Sequence, residues 1–292
     1  MALPQPRATT DFPAARTIAD LRSAVAAWRA QGLRVALVPT MGALHAGHLA
    51  LVTEGLRQAD RVVVSIFVNP KQFGPSEDFS RYPRQEAEDC EKLATAGAHL
   101  LFAPQVDDVY PPGFATTVSV DSLAQYLCGQ FRPGHFTGVA TVVSKLLLQA
   151  LPDVALFGEK DYQQLLVIRR LVRDLDIPVR VVGVQTVREA DGLALSSRNQ
   201  YLSAAERAAA PAIHRTLRAA AVALKAGAPA TPLLAEAETS LLAAGFARVD
   251  YLELRHEETL AALDRSALGA RLFVAAWLGK TRLIDNLGLA AV

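Results

Sequence analysis

Residues 33–70 read LRVALVPTMGALHAGHLALVTEGLRQADRVVVSIFVNP: two apolar runs separated by a small-residue loop and a stretch with helical periodicity. The run Val35 to Val38 is too short for a helix and β-branched at its ends, as befits a strand buried on both faces of a parallel sheet. Pro39 ends it. Thr40, Gly42, Ala43, Ala46 and Gly47 keep side-chain bulk low where backbone amides must approach something closely. The helix that follows offers unpaired N–H groups and a positive dipole end, so an anion of phosphate size fits there. His45 and His48 are three apart and face the same way in a first helical turn, where each can donate to oxygens on which negative charge grows. Leu49, Val52 and Leu56 are expected to continue the helix on its buried side. Two other readings of the H-x-x-H spacing are a pair of surface histidines and a zinc site, although no cysteine or third histidine lies close by to complete a metal shell. Arg61 to Val68 reads as a second parallel strand. Asn69 stands at its carboxyl end, followed by Lys71 and Gln72, where open α/β sheets bind ligands; a plain Asn-Pro turn is the alternative.

Around this stretch, 292 residues with 51% hydrophobic and 20% charged content can bury a large core, and the length implies two domains. A net charge of +1 with dispersed basic residues gives no pull toward nucleic acid or anionic membrane, so the expected partner is small. Cys90 and Cys128 make no disulfide framework and suit a reducing cytosol. The N-terminus lacks an apolar signal core, and no run approaches the ~20 apolar residues needed to span a bilayer, so the protein is expected to be soluble and cytoplasmic.

Residues 1–15 carry Pro4, Pro6 and Pro13 without periodicity and read as a loose arm or an edge strand. From Thr17, an N-cap, Ile18, Leu21, Val25 and Trp28 repeat at helical spacing up to Gly32. Residues 70–83 are polar and punctuated by proline, the character of a lid that excludes water, with a surface loop as the alternative. A helix over Arg84 to Ala96, a strand over Ala98 to Ala103, a short strand or bulged extension over Thr117 to Val120, and an apolar helix over Val139 to Leu151 follow. Before that last helix, Phe131 to Gly138 combines cations with backbone freedom and suits either a carboxylate or a structural turn. A strand over Val154 to Phe157 leads into Gly158, Lys160 and Asp161, then a helix over Tyr162 to Leu175. Lys160 can meet phosphate as a point charge, and Asp161 can accept from ribose hydroxyls or cap the helix. Gln163 and Gln164 are adjacent, so only one can face a site. A strand over Val179 to Val187 precedes a polar stretch whose Ser196, Ser197 and Arg198 suit a triphosphate, with capping of the helix that starts near Ser203 as the alternative. Beyond it, helices over Ser203 to Ala226 and Pro229 to Ala244 and three strands make a second domain. The fold expected is α/β: a doubly wound, Rossmann-like parallel sheet over 1–187, with a smaller α+β domain over 188–292 that closes over a nucleotide site.

VPTMGALHAGHLALV resembles the His-x-Gly-His signature of the adenylate-forming nucleotidyltransferase superfamily and, within it, the pantoate–β-alanine ligase family. IFVNPKQFGPSEDFSRYPR, FRPGHFTGVATVV, LFGEKDYQQLLVIRRL and READGLALSSRNQYLS are similar to that family's motifs in the same order, so the resemblance covers most of residues 33–203. It implies that pantoate and ATP give a pantoyl adenylate and pyrophosphate, that β-alanine then displaces AMP, that Mg²⁺ is required, and that the chain forms a homodimer. By matching motif, His45, His48, Lys160, Ser196, Ser197 and Arg198 handle phosphate; Gln72 and Gln164 bond pantoate with Asn69 and Tyr82 nearby; and Arg132 is a candidate for the β-alanine carboxylate. Pro39, Thr40, Met41, Gly42, Gly47, Gly158, Asp161, Val187 and Leu195 fall to ATP, and Asp89 to the metal. Leu195 stands where the family usually has methionine, a substitution close in volume and polarity. A nucleotidylyltransferase that leaves the nucleotide on its product, or a nucleotide sensor without turnover, are the other classes open to such a chain.

Overall fold

The structure is a computed structural model that describes residues 12–75 and 77–291. The chain divides into two compact units. The first comprises the chain up to Ala124 with Arg132–Glu159 and Gln163–Gln185, and the second Gln125–Phe131, Lys160–Tyr162 and the chain from Thr186 onward.

Six strands build the first unit: β1 (Ala14–Ala15), β2 (Val35–Thr40), β3 (Arg61–Ile66), β4 (Leu100–Phe102), β5 (Val154–Gly158) and β6 (Arg180–Val184). All pair in parallel, in the order β1-β4-β3-β2-β5-β6. Succession runs outward from β2 through β3 to β4 on one side and from β5 to β6 on the other. The sheet is thus doubly wound, and its order reverses between β2 and β5, the place where such sheets bind ligands outside their carboxyl ends. Val35 to Val38 are fully buried, in keeping with a strand covered on both faces. Of residues 1–15, Ala14–Ala15 form the edge strand, and residues 1–11 lie outside the described residues.

The helices are α1 (Ile18–Arg29), α2 (Ala46–Gln58), α3 (Glu86–Ala96), the single-turn α4 (Val106–Val109), α5 (Asp121–Ala124) and α6 (Cys128–Phe131), then α7 (His135–Ala150) and α8 (Tyr162–Asp174). Thr17 and Asp20 form the capping box that starts α1, and Leu21 and Val25 bury its inner stripe. Ala36 and Val38 of β2 share a core with Val52 of α2 and Leu93 of α3, while α1 and α7 pack on one another and α7 on β2. The buried stripe of α2 is Leu51, Val52 and Gly55, not the expected Leu49, Val52 and Leu56; Leu56 is 38% exposed. Gly55 causes the difference: a Cβ there would lie 3.3 Å from Val62, so the helix sits close on β3 through its bare backbone. Thr117 to Val120 is no strand, because the Val118 N–H goes to the Thr141 hydroxyl at 3.0 Å instead of to a neighbouring strand. Helix α7 begins one turn before Val139, with Gly134 at φ +79° bending the chain into it.

In the second unit β7 (Arg248–His256), β8 (Ala270–Leu278) and β9 (Thr281–Gly288) form an antiparallel meander. Leu252, Leu254, Leu272 and Val274 share a core with Leu217, Ala221 and Leu241 of the helices. The expected single helix over Ser203 to Ala226 is two, α9 (Ala204–Ala209) and α10 (Ala212–Lys225). Pro211 breaks it, having no N–H to give the preceding turn. Ser203 caps α9 in a box with Glu206, and α11 (Ala230–Ala243) follows Pro229.

Candidate active site

At the end of β2 the Thr40 hydroxyl donates to the Ser65 carbonyl at 2.7 Å and accepts the Gly42 N–H at 3.2 Å. The chain then turns through Gly42 and Ala43 at φ +83° and +51°. A side chain at Gly42 would be strained and would meet Ile66 at 3.1 Å. Asp89 of α3, 1% exposed, accepts the N–H groups of Ala43 and Leu44 at 2.9 and 2.7 Å. Burial pushes its carboxyl upward against those two bonds. Asp89, expected as a metal ligand, therefore has both oxygens engaged in clamping this loop.

The loop delivers His45 as the N-cap of α2. Its Nδ1 accepts the Gly47 N–H at 3.2 Å, and Nδ1 of His48 accepts the His45 N–H at 3.3 Å. The two rings lie 4.1 Å apart at 32°. A neutral imidazole that accepts at Nδ1 carries its proton on Nε2, so each histidine has Nε2–H as its donor, at the positive end of the helix.

Asn69, 1% exposed, caps the 3₁₀ turn Pro70–Gln72 at the end of β3. Its Nδ2 donates to Gln72 Oε1 at 3.0 Å and to the Gly138 carbonyl at 3.1 Å, and its Oδ1 accepts from the Lys71 N–H at 3.2 Å and from the Tyr110 hydroxyl at 2.8 Å. Gln72 Nε2 in turn lies 3.2 Å from Met41 Sδ, which ties the 3₁₀ turn to the loop after β2. Gly138 lets α7 lie directly on this turn, since a Cβ there would collide with the Lys71 carbonyl. Arg132 forks onto Glu77 at 2.8 and 2.6 Å, and its Nη1 meets His135 Nε2 at 3.0 Å. His135 Nδ1 donates to the Gln72 carbonyl at 2.8 Å. Burial would raise the Glu77 carboxyl, but Arg132 outweighs it and holds it below the usual range. Arg132, expected to meet a substrate carboxylate, is thus paired within the protein. Tyr82 is buried, with its ring edge-on to Phe73 at 5.9 Å.

The strand β5 ends at Gly158, beside β2 in the sheet. Of the adjacent glutamines, Gln163 is buried and donates to the Leu123 carbonyl at 2.9 Å, whereas Gln164 is half-buried.

In the second unit, Lys160 Nζ lies 3.6 Å from the Asp161 carboxylate, and the Lys160 carbonyl accepts from Asn286 at 3.0 Å. Val187 lies beyond β6, which ends at Val184, and pairs instead with Leu195: the Leu195 N–H donates to the Val187 carbonyl at 3.0 Å. The hairpin between them turns at Gly192, φ +94°. Arg188 fastens it to the buried Asp285 at 2.7 and 2.9 Å, and Arg207 grips Glu189 and Asp191. Ser196 then caps the 3₁₀ turn Ser197–Tyr201 by accepting the Arg198 N–H at 3.3 Å. This hairpin, and the parts of Glu77, Tyr110, His135 and Gly138, are absent from the sequence reading. Only His135 and Gly138 carried a signal there, as members of the glycine-bearing turn expected before Val139, which the structure makes the first turn of α7.

A model of the family described as pantoate-β-alanine ligase matches residues 14–288. The chain belongs to the pantoate–β-alanine ligase family. It is similar to the pantothenate synthetase of Paramagnetospirillum magneticum, 62% identical over 94% of this chain and 96% of that one, and to that of Rhodospirillum rubrum, 59% identical over 95% and 99%. The crystal structure of pantothenate synthetase from Thermus thermophilus superposes with a TM-score of 0.89 at 51% identity, covering 95% of this chain and 99% of that one. The pantoate-β-alanine ligase of Francisella tularensis, solved with β-γ ATP and β-alanine, gives 0.82 at 35% identity, covering 96% and 98%. As a member of this family the chain is an ATP-using amide-bond ligase of pantothenate biosynthesis. Among the described residues no group of three or more His, Cys, Asp or Glu could hold a metal ion, so the side chains do not fit a resident metal cage. No helix among them is long and apolar enough to cross a membrane.

Proposed function

We propose that the chain joins pantoate to β-alanine in two steps with the residues identified above. The pantoate carboxylate attacks the α-phosphorus of ATP, forming pantoyl adenylate and expelling pyrophosphate. The β-alanine amine then attacks the acyl carbon, AMP leaves, and the amine's proton passes to solvent. The head of α2 carries this reading: two histidines whose Nδ1 atoms are occupied by backbone N–H groups, and whose Nε2–H groups serve as donors at the sheet's point of reversal. Donors of this kind act where charge develops on a leaving phosphate. In this reading Lys160, Ser196, Ser197 and Arg198 take phosphate oxygens, Asp161 and Gly158 the ribose, and Pro39, Thr40, Met41, Gly42, Gly47, Val187 and Leu195 the rest of the nucleotide. Gln72 and Gln164 bind pantoate. Arg132 serves the carboxylate of β-alanine by exchanging Glu77 for it. Mg²⁺ would be brought by the triphosphate rather than held by a protein cage, and would supply charge neutralisation there. A cytoplasmic location, which the two cysteines outside any disulfide framework suit, and a homodimer, which rests on family resemblance, complete the proposal, and sedimentation in solution tests the dimer. Pantoate-dependent exchange of labelled pyrophosphate into ATP without β-alanine tests the order of steps. Exchange that demands β-alanine would reject a free adenylate.

A further inference from the structure

The carboxamide of Asn69 is saturated. An asparagine side chain has two N–H donors and an oxygen that accepts two bonds, and all four are taken within the protein. Two of the partners fix which way the amide points: the Gly138 carbonyl only accepts, so Nδ2 must face it, and the Lys71 N–H only donates, so Oδ1 must face that. The remaining Nδ2 hydrogen therefore reaches Gln72 Oε1, and Tyr110 must donate its hydroxyl proton to Oδ1. Burial pushes the Tyr110 phenol upward, which keeps that proton in place across the working pH range. With its oxygen turned toward Asn69, Gln72 points its N–H group the other way. It rests 3.2 Å from the sulfur of Met41, a weak acceptor that a substrate oxygen outcompetes.

We infer that Asn69 and Tyr110 are positioning residues that touch no substrate: Tyr110 holds Asn69, and Asn69 sets the Gln72 carboxamide so that it donates to an oxygen of pantoate. The inference rests on the reading that Gln72 binds pantoate. It accounts for why a buried asparagine stands at the end of β3 and why a tyrosine 41 residues further along reaches it.

The test is Tyr110→Phe, which keeps the ring against Phe67 and Phe114 and removes only the hydroxyl. The expected result is a rise of about fivefold in the KM for pantoate, the equivalent of one lost neutral hydrogen bond, with kcat at saturating pantoate and the KM for ATP within twofold of the parent. Asn69→Asp, which offers Gln72 Oε1 no donor and turns its amide round, should raise the pantoate KM far more. In the Asn69→Asp background Tyr110→Phe should then add nothing, because the relay is already cut. A Tyr110→Phe enzyme that loses kcat in proportion to its folded fraction with an unchanged KM would make the tyrosine merely structural and overturn the inference. So would additive effects in the double variant. Gln72→Ala separates the two failures: if it leaves the pantoate KM unchanged, the pantoate reading of Gln72 falls. If it raises that KM while Tyr110→Phe does not, only the relay falls.

Discussion

Adding one methyl group at Gly138 should misplace Gln72. A Cβ built there lies 2.5 Å from the carbonyl carbon of Lys71 and 2.7 Å from the Gln72 nitrogen, with the Lys71 oxygen nearer still, and all three are backbone atoms that cannot rotate away. Restoring contact at 3.4 Å requires α7 and the Pro70–Gln72 turn to part by about 1 Å, which strains the Asn69 bond to the Gly138 carbonyl and the His135 bond to the Gln72 carbonyl. Overpacking of this kind costs about 1 to 3 kcal/mol of stability, and a misplacement of about 1 Å in a substrate-holding group costs about 10² in rate. Gly134→Ala is the control. It lies in the same motif at φ +79°, but a Cβ there meets nothing within 4 Å, so it should incur only left-handed strain of about 1 to 2 kcal/mol and leave Gln72 in place. Calorimetric unfolding and pyrophosphate exchange read the two effects separately. Gly138→Ala should lower both, and Gly134→Ala stability alone. Wild-type exchange in Gly138→Ala, or equal loss of exchange in both, would refute the packing argument.

His48→Ala should lower kcat and kcat/KM together by about 10² to 10³ with pantoate affinity little changed, whereas Gln72→Ala should chiefly weaken pantoate, and titration calorimetry distinguishes them. Asp89 has a folded-state pKa raised above its ordinary 3.8, so the native state binds the extra proton between that value and the raised one, and this group's contribution to stability falls as pH rises through that window. Asp89→Asn should flatten that slope in denaturant titrations run from pH 4 to 7 and should also lower kcat by loosening Ala43 and Leu44. Arg188→Ala leaves Asp285, whose side chain is 0% exposed, without its bidentate partner, and should cost about 3 to 5 kcal/mol in calorimetric unfolding while impairing ATP binding through the freed hairpin.

Elements held by their own local chemistry were legible in the sequence. Val35 to Val38 announces a buried strand by composition, Thr17 a helix start as its N-cap, and the small residues around His45 and His48 a tight loop that opens a helix. What escaped depends on partners far along the chain. Glu77 finds Arg132 across 55 residues. Gly138 reads as the end of a flexible turn until α7 is seen to include it and the Lys71 carbonyl to lie over it. Val187 and Leu195 look like a strand end and a loop residue until their pairing is seen, because the hairpin is held by Arg188 and Arg207 rather than by alternating apolar residues. Asp89, which motif resemblance assigns to a metal, instead spends both oxygens on the backbone N–H groups of Ala43 and Leu44, partners 46 and 45 residues away.

The second unit is assembled from three separate lengths of chain, two of which lie inside the stretch that builds the parallel sheet. Tyr126 and Tyr162 belong to those two lengths, and they stack under guanidinium groups of the meander, Arg255 at 5.0 Å and Arg271 at 3.8 Å. A gene cut near codon 186 would therefore yield a carboxy-terminal fragment stripped of both aromatic seats, with the charged faces of β7 and β8 bare. During synthesis the two short lengths leave the ribosome long before the strands they serve, and they must wait for them. Split-protein or domain-exchange engineering of this enzyme has to carry residues 125–131 and 160–162 along with the carboxy-terminal half.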